Sequence, residues 1–191
     1  MNPAGGAARS APTPPVAPAP AAMTATAVFH TALGALALAS GAGVLARPKG
    51  GPWHRVVGRV YVVSMVVLCL ASFGLRDSTP WFRGLGGFHV AALVSLVSVS
   101  AGAWSAWRRR AGWLPWHYMW MAWSYIGLVM ATGGHLARPL DLALRGAGLS
   151  AGAAVALSLF VVWGLPPLVG RWWIARRLTG WDALGARLAP A

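Results

Sequence analysis

Five histidines are the residues of this chain best suited to chemistry: His30, His54, His89, His117 and His135. Each stands at or just inside the end of a long apolar run. A neutral imidazole is a common ligand for metal ions and haem iron. If the runs cross a membrane in alternating directions, His30, His89 and His135 fall on one side, here side A. His54 and His117 then fall on the other, side B. On the fourth run His117 and His135 are 18 residues apart, which is five helical turns or about 27 Å. Both therefore lie on one helix face, one near each membrane surface.

Two chemistries fit this pattern. A low-spin b-type haem takes two histidines from facing helices, and His54 with His117 offers that pair on side B. Gly58, one turn on from His54, leaves room for a macrocycle, and Tyr61 continues the same face. The guanidinium groups of Arg55 and Arg59 match haem propionates. A second haem on side A would use two of the three histidines there. Alternatively, His30, His89 and His135 form a three-imidazole set for Zn or Cu with an open position. No carboxylate stands near them in sequence to orient the rings, which counts against the ion. Beside both stands a plainer reading, in which histidines at helix ends bond headgroups or loop carbonyls among ordinary Trp and Tyr anchors.

The elements that must position these rings are apolar helices. Of 191 residues, 57% are hydrophobic, 10% are charged and 12 are Trp. That composition belongs to a membrane protein. Five runs, 26–46, 56–75, 85–107, 116–137 and 150–170, each suffice to span the roughly 30 Å hydrocarbon layer as a helix. Short connections make consecutive helices antiparallel neighbours. The expected fold is an all-α integral membrane protein, an antiparallel bundle of four core transmembrane helices plus a fifth. Pro166-Pro167 should kink or end the fifth helix. Residues 1–24, rich in Pro and Ala, read as a disordered tail, and either Met1 or Met23 can be the start. Residues 171–191 read as a basic amphipathic segment at the interface, or as a plain cationic stop.

The net charge of +13 does not indicate nucleic acid, because the basic residues cluster at the ends of apolar runs. Side B holds eleven of them, including Arg47, Lys49, Arg55, Arg59, Arg108–Arg110, Arg171, Arg176 and Arg177, and side A holds five. The positive-inside rule places side B in the cytoplasm, with the N-terminus outside and the C-terminus inside. Anionic lipids of the cytoplasmic leaflet are the partners such a face attracts; Arg108–Arg110 otherwise serve only as a topology signal. The chain has no Glu or Gln, and its three aspartates, Asp77, Asp141 and Asp182, lie outside the apolar runs. Carboxylate-driven proton pumping and paired-carboxylate hydrolysis are therefore without residues, and a transporter is disfavoured. The single cysteine, Cys69, excludes an internal disulfide and reads as a packing residue. Tyr118, Tyr125 and Thr132 form a polar stripe on the fourth run, suited to bonds between helices. Asp141 and Arg145, four apart, suit a surface pair.

The stretches "KGGPWHRVVGRVYVVSM", "FHVAALVSLVSVSAGAW" and "WHYMWMAWSYIGLVMATGGHLAR" resemble the bacterial predicted-membrane-protein family called domain of unknown function 2306. The likeness covers about residues 28–138 and is most specific over Lys49, Gly50, His54, Arg55, Gly58, Arg59 and Tyr61, with His89, His117 and His135. It implies a multi-pass protein of a bacterial inner membrane and assigns no activity. Two functions follow as expectations: a haem- or metal-binding protein in electron transfer or cofactor handling, or a non-enzymatic membrane protein with a structural or assembly role.

Overall fold

The computed structural model describes residues 24–75, 83 and 85–188, the last of these from 180 onward as backbone alone. The Pro/Ala-rich segment before Thr24, Asp77 and the side chain of Asp182 lie outside the described residues. All elements are helical: α1 (Ala25–Ala46), α2 (Pro52–Ser72), α3 (Gly87–Arg108), α4 (Trp113–Gly146), α5 (Ala151–Leu159) and α6 (Leu165–Leu188). Four helical segments are long and apolar enough to cross a membrane: α1, α2, α3 and the continuous stretch Ala151–Thr179.

The helix ends follow from local chemistry. The Thr24 hydroxyl accepts from the Ala27 amide at 3.2 Å and starts α1. Pro52 opens α2, where its missing N–H is not needed. Ser150 caps α5 by accepting from the Ala153 amide. The Lys49 ammonium closes α1, donating to the carbonyls of Val44, Leu45 and Arg47. It thereby meets carbonyls left over at a helix C-terminus. Burial, and the nearby Arg177, pull the Lys49 ammonium down from the ordinary lysine range.

Helices α1 to α4 form a four-membered ring, α1 on α2, α2 on α3, α3 on α4, closed by α4 on α1. The segment from α5 to α6 packs outside the ring against α4. Helix α4 is therefore covered from several directions, and no residue from His117 to Gly134 is fully exposed. That explains why α4 tolerates many Trp, Tyr and His residues and is not among the segments apolar enough on composition alone. A helix with little lipid contact needs little apolar surface. It still runs the full depth of α3. His117 meets Gly102, Gly127 meets Ser95 and Gly134 meets Phe88.

The core joins Ala37, Tyr61, Met65, Leu68, Cys69, Ala92, Val99 and Leu128. At its centre Tyr61 reaches diagonally from α2 to α4, and its hydroxyl lies 2.9 Å from the Ser124 hydroxyl. Ser124 in turn donates to the Met121 carbonyl at 2.8 Å, so Tyr61 is the donor to Ser124. The Tyr125 hydroxyl donates across to the Leu38 carbonyl of α1, the interhelical role expected of that residue. Thr132 instead bonds back to Leu128 of its own helix. Tyr61→Phe removes one buried hydrogen bond and is expected to cost about 1 kcal/mol. Reversible unfolding in mixed micelles measures this, and a loss below a few tenths would show the bond contributes nothing net.

The helices differ from the apolar runs at three places. The fourth helix does not stop at 137: α4 continues through Pro139 to Gly146. Asp141 and Arg145 pair on that extension, nitrogen to oxygen 3.0 Å. Of the two outcomes expected at Pro166-Pro167, a kink or an end, the helix does not end there. A π-helical turn, Phe160–Gly164, lies immediately before the prolines, and the helix runs on beyond them. The Leu165 amide bonds back five residues to Phe160. Prolines 166 and 167 cannot donate to the carbonyls four residues earlier and their rings crowd that turn, so a widened turn relieves the conflict. Finally, the chain keeps its direction beyond residue 170. Gly170 lies against Ile126 of α4, and Ile174 is buried.

Candidate functional site

The register of the bundle decides which histidines meet. Tyr61 and Ser124, 63 residues apart, bridge α2 and α4. In an up-down ring these diagonal helices run parallel, so the same offset holds along their length. His54 and His117 are also 63 apart, each two turns closer to side B. His117 lies within electrostatic reach of His54. On side A, helices α1 and α4 are antiparallel, fixed by Tyr125 against Leu38 and Gly41. That register brings His30 level with His135, and these two also lie within electrostatic reach. Helix α4 thus presents one histidine in its first turns and another five turns on, each with a partner from another helix.

The ring nitrogens are not equivalent. His117 Nδ1 lies 2.8 Å from the Gly102 carbonyl of α3. A carbonyl can only accept, so Nδ1 carries the proton and the Nε2 lone pair is left as a ligand. The close approach depends on Gly102 lacking a side chain, because Met121 fills the space a Cβ would take. The Trp113 ring stands 6.0 Å from the His117 ring. His54 is half-buried, and its Nδ1 is enclosed without a hydrogen-bond partner among the described residues; so is Nδ1 of His30. An enclosed nitrogen with no partner is uncommon in a folded protein.

His89 is different, and the expected three-histidine metal set fails on it. Its Nδ1 accepts from the Gly86 amide at 3.1 Å and its Nε2 lies 3.0 Å from the Leu75 carbonyl, to which it donates. Both nitrogens are committed, one to the start of α3 and one to the end of α2. The ring also packs against Phe73. Among the described residues no group of three His, Cys, Asp or Glu side chains is placed to hold an ion. Sequence position put His89 beside His30 and His135, while its capping role needed the turn geometry of Gly86 and Leu75. His89→Ala is expected to destabilise the bundle by about 2 kcal/mol through two lost hydrogen bonds and a cavity. The midpoint of thermal unfolding reads this, and an unchanged midpoint would remove the capping role.

The other expected site residues divide. Tyr61 is 2% exposed with its hydroxyl used by Ser124, so it belongs to the core rather than to a binding surface. Nothing lies within 4 Å of where a Cβ on Gly58 would stand. Arg55 and Arg59 are exposed. His135 is exposed and stacked on Phe88, rings 6.4 Å apart and 11° from parallel. Cys69 is buried with its thiol free, as a packing residue.

The family described as "Predicted membrane protein (DUF2306)" matches residues 27–174. The chain belongs to this family. The match continues beyond the first four helices, through α5 and the π-helical turn into α6, so the fifth segment is part of what the family shares. No curated protein and no solved structure matches the chain. Membership establishes a membrane protein and leaves its chemistry to the site.

Proposed function

We propose that this family member is a b-type membrane cytochrome, with His54 and His117 as the axial ligands on side B. The observation that carries this reading is the orientation of His117, whose proton is held on Nδ1 by Gly102, leaving Nε2 available. The enclosed, unpartnered Nδ1 of His54 at the same level supports it. The haem would supply the electron chemistry, while the chain fixes one imidazole through a backbone carbonyl and surrounds the pair with helix. Arg55 and Arg59, one turn apart at this end of α2, are suited to propionates that project outward from the bundle. His30 and His135 are proposed as a second pair on side A, so that electrons could pass between membrane faces along α4. The positive-inside rule supports N-out, C-in insertion in a bacterial inner membrane.

The test is an absorption spectrum of protein made with haem available, air-oxidised and then dithionite-reduced, with metal analysis of the same sample. Sharp bands on reduction are the expected result. A colourless, metal-free protein would leave the second reading, a structural or assembly role in which histidines only tie helix ends together. The doubly bonded His89 favours that reading. Stoichiometric Zn or Cu without haem would reassign the His30–His135 and His54–His117 pairs to metal ions.

A further inference from the structure

The turn between α3 and α4 carries three consecutive arginines, and its backbone sends them in different directions. Arg109 adopts φ 46°, in the left-handed region, and Gly112 adopts φ 72°. A residue with a side chain rarely takes the first of these conformations. Arg108 folds back over the rings of Trp104 and Trp107, at 4.5 and 5.4 Å from their centroids. Arg109 lies over Trp113 at 5.8 Å, and its Nε donates to the Ala106 carbonyl. The Arg110 side chain makes no hydrogen bond, ion pair or ring contact among the described residues. With Arg108, Trp104, Ser105, Trp113 and Trp116 it lines a cleft of about 130 Å³.

A guanidinium stacked on an indole is held in place while its N–H edge stays available for an oxyanion. Among the described residues no carboxylate side chain stands here: Asp141 is paired with Arg145 at the opposite end of α4. The surroundings are those of a lipid headgroup. Trp104, Trp107 and Trp116 are 52%, 71% and 54% exposed, and the lipid-facing side of α3 continues away from the cleft as exposed Val90, Leu93, Val94 and Val97. Indoles favour the headgroup level, and apolar side chains accompany acyl chains below it.

We propose that this cleft is a binding site for the phosphate group of an anionic phospholipid in the side B leaflet, gripped by Arg108 and Arg110. It is independent of any cofactor at the histidines. Native mass spectrometry of the full chain, titrated with phosphatidylglycerol and separately with phosphatidylcholine, reads lipid binding directly. Arg108→Gln/Arg110→Gln is expected to weaken the tightest phosphatidylglycerol binding roughly thirtyfold, from about fivefold for each arginine near a charged surface. Arg176→Gln/Arg177→Gln removes equal charge, from arginines stacked on Trp172 and Trp173. It should leave that binding within about threefold, since a screened charge outside the cleft contributes little. Should the first double variant misfold, Arg110→Gln alone breaks no hydrogen bond, ion pair or ring contact among the described residues and should still lose about fivefold. Equal losses in the two double variants, unchanged binding in the first, or equal affinity for phosphatidylcholine would each overturn the proposal. So would displacement of the lipid by millimolar inorganic phosphate, which would make the cleft a site for the free ion.

Discussion

His117→Ala is expected to abolish the side B haem spectrum, and added imidazole is expected to restore part of it. The substitution removes a ring that does two things. Its Nδ1–H bonds the Gly102 carbonyl, and its Nε2 is the lone pair proposed to ligate iron. Loss of the hydrogen bond alone costs about 1 kcal/mol of stability, too little to empty a haem site. Loss of an axial ligand should lower affinity by roughly 10–100-fold or more, since disturbing even an outer partner of a ligand has that effect. Imidazole separates the two roles, because a free ring can ligate iron without re-forming a bond to Gly102 from within α4. His54→Ala should give the same loss on the same side. His89→Ala should retain the full spectrum, because neither of its nitrogens is free to ligate. Full haem content in both the His54 and the His117 variants would sink the assignment. Loss of haem in the His89 variant, with the fold intact, would return that residue to the site.

The largest effect on stability is expected at Gly41. A Cβ there would stand 2.5 Å from two atoms of the Tyr125 ring and 2.9 Å from the Tyr61 ring. Those rings lie 6.2 Å apart and tilted, and both are tied down. Tyr61 is bonded to Ser124 and Tyr125 to Leu38. Neither ring can swing aside without breaking its hydrogen bond, so the clash must move a helix. Gly41→Ala is expected to cost about 2–3 kcal/mol, within the range for overfilling a packed core, and Gly41→Val more. The cause is tested by a double-mutant cycle with Tyr125→Ala. If the ring is the obstacle, Gly41→Ala should be much milder in the Tyr125→Ala background. Strict additivity would show that the contact is not the source of the cost.

Composition was sufficient for the class of fold. With 57% hydrophobic residues and charge confined to run ends, the only way to satisfy backbone amides in lipid is by helices or a closed barrel. Runs of about 20 residues select helices. The inward faces of α1, α2 and α4 were legible too, because small residues share a face at helical spacing with Ala37 and Gly41 on α1, Tyr61 and Met65 on α2, and Ser124 and Leu128 on α4. Helix ends were less legible. Asp141 and Arg145 read as loop residues, yet an i,i+4 pair in a run of leucines is compatible with helix, and α4 extends over both. The prolines read as a kink or an end, and a linear pattern does not encode the π-helical turn that makes room for them.

The histidines divide along the same line. Spacing alone determined that they fall near the ends of the apolar runs and sort into two sides, because rise per residue is fixed by the backbone. It could not determine partners, because register between helices depends on how side chains interlock. The Tyr61–Ser124 bond and the Gly41 contact set that register. They bring His54 level with His117 and His30 level with His135. Nor could sequence separate His89 from the rest: its nitrogens are taken by a backbone amide and a backbone carbonyl, groups that every residue carries and that only tertiary folding puts within reach.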